Sequence, residues 1–207
     1  MPNLLLNKQY FGCNAGDFRK AMINGIEPSA APIFSKHQNE IFMKEILSQY
    51  AAYNVWANHK LLFQMQQMEE EKWYQQTPSS FNSLFKTVLH MWDAESIWFQ
   101  RLRLHEKLVV PSATFDPSFK DACNGLLHQC MEWEPFIAQA LQDDGVQSKL
   151  AYKTSQGVAY EQPVAEILMH VFNHSTYHRG QLVTMMRQLG ETSLPVTDFI
   201  AFTRKSA

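Results

Sequence analysis

Three histidines, His170, His174 and His178, recur at four-residue steps in the run from Met169 to Gln181. On an α-helix they share one side, with His170 and His178 each about 40° from His174. Ile167, Val171, Gln181 and Met185 fall within about 60° of the same direction, so the stripe is largely apolar and belongs against other elements. An unpaired buried polar group costs about 1–3 kcal/mol, and three stacked by turns are hard to explain as independent core residues. A shared metal ion would take up their lone pairs. Neighbours at i and i+4 are about 6 Å apart along the axis and can converge on one ion, whereas His170 and His178, about 12 Å apart, cannot share it. One adjacent pair ligates, and spacing leaves both pairs open. Two imidazoles do not complete a site, so this helix must pack against another that brings a further ligand.

The rest of the chain supplies such helices. Residues 41–68 carry Ile46, Tyr50, Tyr53, Ala57, Leu61 and Met65 at three- and four-residue steps, an amphipathic stripe. Thr77-Pro78-Ser79-Ser80 breaks the pattern and offers a hydroxyl N-cap for a second helix over 81–105. Asp116-Pro117 opens a third, with Asp as cap and Pro at the first helical position, reaching Leu141 with a bend near Pro135. Residues 150–153 and 158–161 read as a small hairpin, which needs a surface to lie on. Pro163 starts the fourth helix and Gly190 ends it. A short helix over 197–204 closes the pattern. The expectation is an all-α protein, an up-down four-helix bundle with a small β-hairpin insertion and a short C-terminal helix. Residues 41–207 form that domain, and residues 1–40, rich in Asn, Gly, Pro and Ala without a helical period, form an arm.

Composition narrows the function. Eighteen Lys and Arg against 20 Asp and Glu leave a formal charge of −2, with no basic stripe, so nucleic acid is not an expected partner. No run of 18 apolar residues exists and the opening Met-Pro-Asn-Leu-Leu-Leu-Asn is too short for a signal-peptide core, so a cytoplasmic protein without a membrane span is expected. The cysteines, Cys13, Cys123 and Cys130, are odd in number and include no C-x-x-C pair. Cys123 and Cys130 stand two turns apart on one helix, too far for a disulfide, and read as small core residues.

The third ligand has four candidates outside the fourth helix and the arm: His59, His90, His105 and His128. His59 sits between Asn58 and Lys60 and reads as solvated. His105 falls at a helix end, and His128 is not excluded by pattern. His90 is well inside the second helix, but the stripe of Phe81, Leu84, Val88, Trp92 and Phe99 points nearly opposite it, so periodicity does not say which side holds it. The H-S-T-Y-H segment has Ser175 where a zincin has its Glu, which excludes a metalloprotease of that type.

The run NHSTYHRGQ, Asn173 to Gln181, followed by LVTMMRQLG to Gly190, closely resembles the last bundle helix of the DinB-like family, DNA-damage-inducible metalloenzymes. YNVWAN from Tyr53, FNSLFKTVLH from Phe81 to His90, AESIW from Ala94, Arg101-Leu102 and the closing PVTDFI from Pro195 carry it further, over about residues 43–204. The resemblance implies a dimeric bundle in which His90, His174 and His178 hold a divalent ion, zinc or nickel first, with His170 left to support or pack beside the site. Tyr177 stands where many members have His, at a position that is not a ligand. It also implies a metal-dependent enzyme, a transferase or hydrolase, with a small-molecule thiol as cosubstrate. The alternative is a non-catalytic dimeric binding or stress-response module with a structural or vestigial metal.

Three neutral imidazoles leave an ion its full charge and an open position, which suits activation of a bound water or thiol. Of the neighbours, Gln181 lies within about 20° of His174 and Tyr177 about 60° away, whereas Arg179 is turned about 140° away and reads as a structural ion-pairing group. Glu95 is about 140° from His90. No general base stands out, which favours direct metal activation.

Overall fold

The computed structural model describes residues 36–140, 143–154 and 156–205. The expected arm lies outside them up to residue 35, as does Cys13, and the first helix already begins at Lys36. Helix α1 spans Lys36–Gln66 and a short α2 spans Glu70–Tyr74. Helix α3 spans Leu84–Leu102, three residues later at its start than the pattern suggests. The cap is not in the Thr77–Ser80 stretch but at Ser83, whose extended backbone lets its hydroxyl accept from the Lys86 N–H.

Helix α4, Phe119–Met131, likewise starts after Ser118 rather than Asp116, because Ser118 and Asp121 bond each other reciprocally across the first turn. Pro135 has no N–H for the Met131 carbonyl, and the expected bend is a break at Glu132, after which α5 runs over Trp133–Ala140. A turn of 3₁₀ helix at Asp143–Val146 leads to the strands β1, Lys149–Lys153, and β2, Ala159–Pro163, paired antiparallel with Tyr152 opposite Tyr160. Their surface is the end of α3: Tyr152 meets Trp98 edge to face at 5.0 Å, and Arg101 donates to the Lys153 carbonyl at 3.0 Å. Helix α6, Val164–Gln188, ends where Gly190 adopts φ +92° and the Glu191 N–H returns to the Met186 carbonyl. Helix α7, Phe199–Lys205, stacks Phe199 on Tyr50.

The expected four-helix bundle, hairpin and terminal helix are therefore present. Helices α1 and α3 each pack on α4 and α6. Going along α3, Thr87 meets Met185, Glu95 meets Ser175, and Trp98 meets His170, so α6 runs opposite. In α4 the order is the same as in α3: Gly125 lies under Trp92, and the Cys130 thiol then reaches Glu95. The directions are thus up, down, down, up, not the simple up-down alternation expected, because α3 and α4 run the same way. Two parallel neighbours need a long return connection, and residues 103–118 provide it. They run back beside α3, Val109 bonding Gln100, Ser112 bonding Asp93 and Phe115 meeting Trp92.

The core has two apolar halves. One gathers Leu61, Met65, Leu84, Met91, Phe119 and Met185; the other gathers Leu47, Trp133, Ile137, Leu168 and Phe172. Between them lies a polar layer of Asn54, Asn58, Glu95, Ser175 and Arg179, all buried. Along α1 the sealed face near the layer is Leu47, Ala51 and Asn54, while Ile46 is half-buried and Tyr50 exposed. The inward face there is one residue round from the expected stripe. Cys123 and Cys130 are buried and unpaired, as expected.

Candidate metal centre

Helix α3 contributes His90, and α6 contributes His174 and His178, to one group whose ligating nitrogens all lie within 4.8 Å of one another. The Nε2 atoms of His90 and His178 each stand 3.1 Å from Nε2 of His174. Two neighbours on α6 present the pair, and the antiparallel crossing of α3 brings the third. Phe81 stacks on the His90 ring at 4.0 Å between centroids. It precedes the first turn of α3, so its direction does not follow the helical angle that sets it opposite His90.

His178 is oriented from its other nitrogen. The Gln181 Oε1 accepts from Nδ1 at 2.7 Å, which leaves the Nε2 lone pair facing the group. Gln181 in turn donates to the hydroxyls of Ser80, at 2.9 Å, and Tyr177, at 3.1 Å. The sequence does not point to Ser80 or Phe81 here: Ser80 has no period to betray it, and the stripe that includes Phe81 turns it away from His90, whereas it precedes the first turn of α3.

Burial lowers the pKa of all three imidazoles. For His174 burial comes first, then the charges that His178, His90 and His170 would carry, and together they bring it to about 4. At neutral pH the group is therefore three uncharged rings. Protons do not satisfy both contacts: with His178 Nε2 as an acceptor, His174 Nε2 must carry the N–H to meet it, and that one N–H cannot point at His90 as well. The donor set fits a divalent ion. Zinc–nitrogen bonds of about 2.0–2.1 Å in tetrahedral geometry separate ligand nitrogens by about 3.3 Å, close to the two 3.1 Å contacts of His174, and imidazole suits zinc, nickel and iron alike.

The remaining histidines stay apart from this group. His59, His105 and His128 are exposed, and the side chain of His37 lies outside the described residues. His170 is also exposed on its outer edge; its ring packs against Trp98 at 5.5 Å and lies 5.9 Å from His174. No carboxylate joins the three rings among the described residues. Asp93 accepts from Ser112, and Glu95 faces the interior layer. Arg179 is buried as a structural residue should be, but its guanidinium meets amide and hydroxyl oxygens of Asn54, Asn58 and Thr176 rather than a carboxylate.

Comparison with known proteins agrees with the fold. The model of the DinB family matches residues 39–205. Protein DinB of Bacillus subtilis is 27% identical over 153 residues, covering 71% of this chain and 87% of its own. A crystal structure of a DinB-family protein from Exiguobacterium sibiricum superposes with a TM-score of 0.54 at 13% identity, covering 75% of this chain and 97% of that one. A DinB-like protein from Bacillus cereus gives 0.51 at 19% identity, over 68% and 90%. At these identities the two structures speak for the fold.

Proposed function

The chain belongs to the DinB family, and from that premise we propose that His90, His174 and His178 hold a divalent metal ion at which a small-molecule thiol, or a water, is activated for group transfer or hydrolysis. The observation that carries the reading is the convergence of three uncharged imidazole nitrogens within 4.8 Å, from two helices, with no proton arrangement that satisfies both contacts of His174. The chemistry such an ion supplies is Lewis acidity, which lowers the pKa of a thiol or water that reaches it.

The protein's own residues do the rest. Gln181 fixes the tautomer and tilt of His178, and Ser80 and Tyr177 fix Gln181. Phe81 covers one face of His90 and restricts water on that side. Tyr177 is 61% exposed and flanks the rim, where an incoming molecule would meet it first. The carboxylates nearest in sequence to His90 are engaged elsewhere, which supports activation by the ion rather than by a side-chain base.

Metal analysis of the purified protein, repeated on His174→Ala, tests the site. Near-stoichiometric metal in the parent and almost none in the variant is expected, and undiminished metal in the variant would sink the assignment. Thiol consumption with a simple alkylating electrophile, with and without chelator, then tests the chemistry. Chelator-sensitive stability without any thiol reactivity would point instead to a non-catalytic module.

A further inference from the structure

Helix α6 carries two polar columns one residue apart. His174 and His178 lie on one; Ser175 and Arg179, about 100° further round, lie on the other. The first column faces His90 of α3, and the second enters the buried layer. Both are spaced by four residues, so each ligand has a chain neighbour locked in the interior.

The locking is directional. Glu95, 1% exposed, accepts through Oε1 from Ser175 Oγ at 2.8 Å and Asn54 Nδ2 at 2.9 Å. Through Oε2 it accepts from Trp133 Nε1 at 2.8 Å and from the Cys130 thiol at 3.4 Å. Arg179, 3% exposed, donates at 2.6 Å to Asn54 Oδ1, so one amide of α1 joins the carboxyl group of α3 to the guanidinium of α6. Arg179 also lies over the Tyr53 ring at 5.0 Å. Apolar side chains alone would tolerate α6 sliding or turning slightly. This layer does not, because a one-residue slip moves α6 by about 1.5 Å and 100° and would present Thr176 to Glu95 and Gly180 to Asn54 instead.

We propose that the Glu95–Asn54–Arg179 layer sets the rotation and register of α6 against α3, which makes Glu95, Ser175 and Arg179 positioning residues of the three-histidine centre; the inference rests on reading that centre as a metal site. Metal–ligand distances tolerate only about 0.2 Å, so a small loss of register in α6 reaches the ion before it unfolds the bundle.

The test uses Ser175→Ala, which removes one hydroxyl and strands no charge, and Arg179→Lys, which keeps the charge but loses the fork. Thr87→Ser is the control: Thr87 is a fully buried polar residue of α3 outside the layer, and Ser keeps the hydroxyl that meets the Ser83 and Phe81 carbonyls and the Met185 sulfur. For each, thermal unfolding of the chelated protein is set beside zinc affinity by competition with a chromophoric chelator and beside the visible absorption of the cobalt-loaded form. The layer variants are expected to weaken zinc by ten-fold or more and to change the cobalt spectrum, while Thr87→Ser shifts stability alone. Layer variants that remain folded and bind zinc as the parent does overturn the proposal and leave the metal reading intact. A parent that binds neither zinc nor cobalt overturns both. If Arg179→Lys does not fold, Ser175→Ala decides.

Discussion

The two polar columns of α6 use the same four-residue spacing to opposite ends. In the inner one every hydrogen-bonding group of Ser175 and Glu95 meets a partner, and the layer is closed to solvent. In the outer one, three ring nitrogens converge at the edge of the bundle, and the Nε2 of His174 cannot bond both of its neighbours. A satisfied buried network specifies which way helices pack; an unsatisfied converging one waits for a ligand. The difference gives each column its own signature under perturbation.

The sharpest break is His174→Ala. It removes the nitrogen that both other imidazoles approach, and metal content should fall from near one per chain to a small fraction, read by elemental analysis, with the metal-free fold retained. Glu95→Ala should act on the fold as well as on the metal. It leaves four donors without their acceptor and should cost about 3–5 kcal/mol in denaturant unfolding of the metal-free protein. A cost below about 1 kcal/mol would mean that the layer rearranges freely. Third in size is Gln181→Ala, which frees the His178 ring without touching a ligand. A 10–100-fold loss of zinc affinity is expected, with little change in the unfolding midpoint of the chelated protein.

Acid separates the columns more gently. In the metal-free fold His174 stays neutral to about pH 4, whereas an unperturbed histidine takes its proton near 6.5. Between those values the unfolded chain binds more protons than the folded one. The stabilising contribution is therefore complete above pH 6.5 and is lost as pH falls toward 4. Urea midpoints of chelated protein at pH 7.5 and 4.5 should show the fall, and His174→Asn should make it shallower. The smallest effect expected is none at all. Burial, and then the Glu95 charge beside it, push the Cys130 thiol well above its usual range, and burial pushes Cys123 up to about 12. Iodoacetamide at pH 8 should leave both unmodified in peptide maps of native protein, while unfolded protein is alkylated at both.

How much of this is legible in the sequence depends on whether one helix or several must be read. The histidine column of α6 is a property of a single helix, and spacing suffices to place it on one face. The hairpin and helix ends follow from Gly157, Pro163 and Gly190 in the same local way. Spacing alone does not choose between the His170–His174 and His174–His178 pairs; resemblance picks the second, and the structure converges that one on His90. The polar layer escapes because it belongs to several helices at one level. Asn58 enters the sequence reading only as the polar neighbour of His59, and it is 1% exposed. A signal does exist: Ala51, Asn54, Asn58, Leu61 and Met65 keep three- and four-residue steps, as do Leu84, Val88, Met91 and Glu95. Polar residues hold core steps in both helices. That they meet depends on register, which no single periodicity contains.

The up, down, down, up course has a consequence for the order of events as the chain is made. Ligands and their supports come from α1, α3 and α6, and α6 is drawn from roughly the last fifth of the chain. Its partner in the layer, Asn54, is separated from Arg179 by 125 positions. A ribosome releases His90 long before His174 exists, and closing so long a loop is slow compared with forming any one helix. The centre is therefore among the last parts of the molecule to assemble, and an ion held there would report that the whole bundle has closed.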